Sequence, residues 1–182
     1  MGSPLSEAPE GGHAPGSALE ERVRAIEDRT AILAMLHQYC AMVDRLDAHA
    51  IAQCFTEDCV LDFGPGLGGE QQGRALVEHI LATGLRRYAA TSHHLSNATI
   101  TLAGDRATGV SHVLAWHRMA DGKPDAWLFG QYHDRFVREP DRWRIAERRL
   151  LAAGEIGFPV AWAMIPRLFR PDGPPEGDSG AF

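Results

Sequence analysis

"TSHHLSNATITLAGDRATGVSHVLAWHRM" occupies Thr91–Met119. Thr99, Ile100, Thr101 and Leu102 suit a strand, Gly104 and Asp105 suit a tight turn, and Val110 onward alternates again. The stretch therefore predicts a β-hairpin with two long arms. It also carries four histidines, His93, His94, His112 and His117. A hairpin needs no histidine to form, so these residues ask for another explanation. Neighbours along a strand point to opposite faces. His93 and His94 must part, and so must His112 and His117, so at most one of the second pair shares a face with His93.

Working outward, Ala126–Arg138 and Arg142–Leu151 read as two further strands, separated by turns at Ala120–Pro124 and Glu139–Asp141. Upstream, residues 20–44 read as helix. Ile32, Met35, Leu36, Tyr39, Met42 and Val43 recur at helical spacing, with Asp28 and Arg29 as polar leads. Asp47 is placed to cap a second helix at 48–55. Cys59–Phe63 is a short strand and Arg74–Thr83 a third helix. Between them Gly64–Gly73 (GPGLGGEQQG) is too rich in glycine for regular structure. It lacks the lysine and the strand–helix setting of a phosphate loop, so it reads as turn chemistry. Helices first and an antiparallel meander afterwards make an α+β fold. The expected form is a cone-shaped α+β barrel, a curved mixed or antiparallel sheet with N-terminal helices enclosing an apolar pocket.

The chain has 182 residues, 45% of them hydrophobic, enough for one domain with a real core. Residues 1–19 and 171–182 are rich in Gly, Pro, Ser and acid and are expected to be disordered tails around a single domain at 20–170. The net charge of −6 argues against nucleic acid as a partner. No apolar run is long enough to cross a membrane, and the N-terminus lacks the basic start and apolar core of a secretory signal. Cys40, Cys54 and Cys59 are an odd count without metal-type spacing, which suits reduced thiols in a cytoplasm. Adjacent strand histidines point apart, and no helical pair of histidines appears, so no metal is expected. The segment Gly154–Arg170 (GEIGFPVAWAMIPRLFR) is apolar, and Phe158, Trp162, Met164 and Leu168 need burial. It reads either as a lid over the mouth of the cone or as a contact in a homo-oligomer, a dimer or trimer.

"DRTAILAMLHQYCAMVDRLD" (28–47), "CFTEDCVLDFG" (54–64), "GR" (73–74), "TSHHLSNATITLAGDRATG" (91–109), "GQYHDRFVRE" (130–139) and "RWRIAERR" (142–149) resemble the SnoaL-like branch of the nuclear-transport-factor-2-like superfamily. The resemblance covers about residues 20–155. It is specific for fold and weak for substrate, because the superfamily includes dehydratases, a dehydrochlorinase, polyketide cyclases, isomerases and non-catalytic subunits. In its dehydratases an aspartate ends the first helix and a histidine opens the strand after the third. The resemblance implies these roles for Asp44, in "MVDRLD", and for His93, four residues before Asn97. It implies an assisting role for His117 and for Tyr39, and a structural one for Trp143. Where scytalone dehydratase has a carbonyl-polarising tyrosine, this chain has Phe63. Phe63, Asn97, Trp116, Tyr132, Arg148 and Phe158 are expected to meet the substrate. Trp127 and Phe129 are expected, with Trp116, in the core or the pocket wall. For Arg148 a surface ion pair is the default, with contact to an anionic group as the functional reading.

An aspartate beside a histidine is a chemical unit. The carboxylate accepts one ring N–H, which leaves the other nitrogen basic, and it stabilises the imidazolium once a proton arrives. The expectation is a small cofactor-free lyase, a dehydratase acting on a hydrophobic ring-containing secondary metabolite. A polyketide or terpenoid cyclase or isomerase using the same base is the alternative within enzymes. A non-catalytic binding or assembly subunit is the alternative outside them.

Overall fold

The computed structural model describes residues 15–158 and 162–165. The expected tails lie outside these residues apart from 15–19, as do 159–161 and 166–170 of the apolar segment. The first helix, α1, runs Pro15–Asp44, starting five residues before the expected 20. Pro15 is tolerated there because a helix's first N–H groups have no intrahelical partner. Its buried stripe is Ile32, Met35, Leu36, Tyr39, Cys40 and Val43. Asp47 caps α2 (Ala48–Ala52) by accepting the Ala50 N–H at 3.0 Å. α2 stops short of the expected 55 because Phe55 already begins β1 (Phe55–Asp62).

The glycine-rich stretch is more ordered than the sequence suggests. It holds a 3₁₀ turn at Pro65–Leu67 and a short strand, β2 (Glu70–Gln72), antiparallel to β1 through Val60↔Gln72 and Asp62↔Glu70. Next come α3 (Arg74–Leu85), β3 (Tyr88–Ala103), β4 (Arg106–Met119), β5 (Ala126–Arg138) and β6 (Trp143–Ile156). The sheet order is β2-β1-β6-β5-β4-β3. β3 to β6 form the expected antiparallel meander, and β1 joins β6 in parallel. The sheet is therefore mixed. It has free edges at β2 and β3, so the expected barrel is an open curved sheet rather than a closed one.

Two bulges decide which side chains face inward. In β3 the pairing to β4 shifts between Ser96 and Thr99, where Asn97 takes a φ of 48°. Asparagine tolerates this left-handed conformation better than most residues. In β6 the pairing to β5 shifts between Arg135↔Glu147 and Phe136↔Ile145. Trp143 and Ile145 face the core before that shift, and Arg148, Leu150 and Ala152 face it afterwards. A bulge adds one residue to a strand and so inverts its alternation.

α1 is tied to the sheet at one end by Asp28, which accepts hydrogen bonds from Trp143 Nε1 at 3.2 Å and from Arg138. Arg138 also lies over the Trp143 ring, 4.5 Å from its centroid. At the other end, residues 162–165 return to β6. Ala152 N–H donates to Ala163 O at 2.7 Å and Ile165 N–H to Ala152 O at 2.8 Å. Gly64 (φ 88°) allows this approach, since a Cβ there would lie 2.8 Å from the Ala163 nitrogen. No helix among the described residues is long and apolar enough to cross a membrane.

Candidate active site

α1 ends at Asp44 beside β3, one of the two edge strands of the sheet. An edge strand leaves some N–H groups unpaired, and the Asp44 carboxylate takes one of them. Its Oδ2 accepts the His93 backbone N–H at 3.0 Å. Its Oδ1 accepts the Thr91 hydroxyl at 2.9 Å and lies 2.8 Å from His93 Nδ1. A carboxylate has no proton to give, so Nδ1 carries the hydrogen and Nε2 is left as the basic nitrogen. Burial alone would raise the Asp44 carboxyl above its ordinary 3.8. The bonds from the His93 ring, the His93 backbone and Thr91 outweigh it and hold the group lower. Only 7% of the His93 side chain is exposed.

His93 lines a cavity of about 120 Å³ enclosed by α1, α3 and the concave face of the sheet. Val43, Leu61, Phe63, Leu81, Leu85, Leu128 and Leu150 make it largely apolar. Tyr39, Tyr88, His117, Tyr132 and Trp162 also line it. His117 lies edge-on to His93 with centroids 5.2 Å apart, and it packs on Tyr88 at 4.5 Å and on Phe158 at 5.0 Å. Its Nδ1 is buried without a hydrogen-bond partner among the described residues. Burial first, and then the nearby His93, push the His117 pKa from 6.5 down to about 4, with Asp44 partly opposing. His117 is therefore a neutral ring near pH 7. Burial raises the Tyr39 hydroxyl, with Arg148 opposing, and raises Tyr132 well above its usual range.

Of the ten residues expected at the site, Asp44, His93, His117, Tyr39, Phe63 and Tyr132 gather in or directly behind this cavity, and Phe158 packs against His117. Three lie elsewhere. Asn97 is exposed on the β3 bulge, which turns it away from the His93 face. Trp116 has the opposite parity to His117. It donates to Asp125 Oδ2 at 3.0 Å on the convex face, where Trp127 and Phe129 are also exposed rather than in the core or pocket wall. Arg148 is neither at the surface nor in the cavity. It is fully buried beneath it, in a two-pronged pair with Asp134 (both contacts 2.8 Å). It is sandwiched between Tyr39 and Tyr132, 4.2 and 4.1 Å from their centroids. Burial would lower its pKa, but Asp134 more than compensates. His94 and His112 are exposed and bond locally to Ser92 and Gln131.

Sequence reasoning missed Thr91, Tyr88, Arg87 and Leu128. Thr91 had a signal, since it stands two residues before His93 and so shares its face. Leu128 had one too, standing four residues before Tyr132 on β5, whereas Tyr88 and Arg87 lie where α3 gives way to β3 and carried none. Among the described residues, no three His, Cys, Asp or Glu side chains converge on a point that could hold a metal ion.

The SnoaL-like domain family matches residues 24–149, most of the described chain. The chain belongs to this family. An uncharacterized protein of Mycobacterium tuberculosis is 30% identical over 129 residues, spanning 69% of this chain and 86% of that relative. A Novosphingobium aromaticivorans structure, described as a candidate scytalone dehydratase, superposes with a TM-score of 0.72 at 29% identity, covering 77% of this chain and 93% of the other. The hexachlorocyclohexane dehydrochlorinase of Novosphingobium barchaimii superposes with a TM-score of 0.67 at 15% identity, covering 80% and 99%, a likeness of fold. SnoaL-like neighbours thus include proteins named for elimination reactions, and a small lyase-type or related function suits the chain.

Proposed function

We propose that the protein is a cofactor-free lyase of the dehydratase type, acting on a compact, hydrophobic, ring-containing secondary metabolite. One observation carries this reading. His93 is held by Asp44 at 2.8 Å, its second nitrogen without a hydrogen-bond partner among the described residues, on the wall of an apolar cavity. In the reaction, Nε2 takes a proton from a carbon next to a carbonyl, and Asp44 stabilises the imidazolium as it forms. The electron pair of the broken C–H bond becomes the new C=C bond as the C–O bond to a neighbouring hydroxyl breaks. The departing oxygen receives the proton back from His93 and leaves as water. His117, being neutral, orients that oxygen by hydrogen bonding instead of acting as a strong acid. Tyr39, with its hydroxyl pKa raised, serves in the same neutral form. Positioned general-base catalysis of this kind is worth roughly 10²–10⁴-fold.

The candidate scytalone dehydratase, at 29% identity, supports the elimination chemistry. Phe63, where that enzyme class has a tyrosine, separates this substrate from scytalone itself. A cavity of about 120 Å³ suits a single compact ring better than a long polyketide chain, which places cyclisation second. The test is a screen of cyclic β-hydroxyketones, followed by the ultraviolet absorbance of the conjugated enone that water loss creates. Turnover by wild type and its loss in His93→Ala support the reading. Equal turnover by both proteins removes His93 from the role of base, and none by the wild type on any member turns the reading toward the non-catalytic alternative.

A further inference from the structure

Among the described residues, the cavity wall contains one permanently charged side chain, Arg87, and no aspartate or glutamate. Asp44 stands behind His93, outside the lining. Arg87 is exposed, so it marks the open side of the cavity, where α3 has ended and β3 is about to begin. Its root is pinned. Its N–H donates to Gly84 O at 3.2 Å, and its carbonyl accepts the Ala120 N–H at 2.9 Å. Its guanidinium, like that of the exposed Arg86, has no ion-pair or hydrogen-bond partner among the described residues, whereas the less exposed Arg74, Arg138, Arg144 and Arg148 all have one.

A basic residue just past a helix C-terminus has an ordinary explanation, the attraction of the helix's negative end. Arg86 serves that purpose equally well and does not line the cavity. Arg87 differs in that it lines the cavity. Its chain neighbour Tyr88 also lines it, and the Tyr88 ring packs on His117 at 4.5 Å, which in turn lies 5.2 Å from His93. A ligand body that fills the apolar cavity beside His93 and His117 thus meets Arg87 at the open side. The planar fork of arginine matches a carboxylate in two-pronged fashion.

We propose that Arg87 receives an anionic group of the substrate, so that the substrate is an apolar ring bearing a carboxylate at the end remote from His93. This rests on reading the cavity as the active site, but not on the elimination chemistry. Exposed ion pairs are weak and partly desolvated ones stronger, so the charge should be worth about five- to tenfold in affinity.

The test uses two probes of nearly equal shape, cinnamate and cinnamamide, titrated calorimetrically into the full chain at pH 7. Wild type should bind cinnamate about five- to tenfold tighter than the amide, with the preference shrinking at high salt. Arg87→Gln should abolish the preference by weakening cinnamate alone, while Arg86→Gln keeps it. His93→Ala should also keep it, which separates failure of the anion site from failure of the base. Equal affinities in wild type, no binding of cinnamate, a preference that survives Arg87→Gln, or one that vanishes in His93→Ala would each overturn the proposal.

Discussion

His117 makes a quantitative prediction about stability that needs no substrate. It is 7% exposed, boxed in by the rings of Tyr88, His93 and Phe158, and its pKa falls from 6.5 to about 4 on folding. Between those pH values the unfolded chain binds a proton that the folded chain refuses. Unfolding free energy therefore rises with pH in this window. The contribution is complete above about pH 6.5 and is lost as the pH falls toward 4. At about 1.4 kcal/mol for each pH unit the loss comes to roughly 3 kcal/mol. For a domain of this size that is about 6–12 °C in melting temperature. The Asp44 carboxyl, also facing this ring, is held below 3.8, so its own contribution is lost only below the window and does not mask the effect. His117→Phe keeps a ring among the three neighbours and removes the proton. Melting curves at pH 4.5, 5.5, 6.5 and 7.5, at constant ionic strength, should show the wild-type decline on acidification and a markedly shallower one in the variant. Parallel declines in the two proteins would refute the burial argument.

Two further perturbations follow from the geometry. Asp44→Asn keeps the shape but can present an N–H to His93 Nδ1, which moves the ring hydrogen to Nε2; turnover on an identified substrate should fall roughly 10²–10⁴-fold, with a loss of stability of about 1–2 kcal/mol by denaturant titration. Arg148→Met leaves Asp134 buried and unpaired and should cost roughly 3–5 kcal/mol, whereas adding Asp134→Leu should recover most of it, both read from chemical denaturation.

The strand β4 shows how much of the fold was legible. Its inward residues Ala107, Ser111, Val113, Ala115 and His117 are all buried and alternate with more accessible ones, so period-two patterning was enough to part His117 from His112, and the family resemblance pointed to His117 as the inward one. The same parity separated His93 from His94, and the end of α1 could be read from where its apolar stripe stops. Arg148 and Asn97 were misjudged for a shared reason. Each follows or sits on a bulge, and a one-residue insertion in a strand leaves no mark on composition while inverting every later side chain. The parallel pairing of β1 with β6 joins segments some 90 residues apart, beyond the reach of any local pattern. The β2 strand hides in a glycine-rich run because its three residues owe their extension to pairing with β1 rather than to propensity. Arg87 lines the cavity only because the turn between α3 and β3 falls at its wall, which local patterning does not show.

The central claim is that His93, held by Asp44, removes a proton from carbon inside the cavity. The most direct measurement is deuterium uptake from heavy water at the carbon next to the carbonyl of a cyclic ketone that binds the protein, followed by mass spectrometry. Wild type should exchange that position at least about 100-fold faster than His93→Ala or Asp44→Asn. The double variant should be no slower than the worse of the two, since the pair acts as one unit. Exchange by His93→Ala as fast as by wild type would contradict the account.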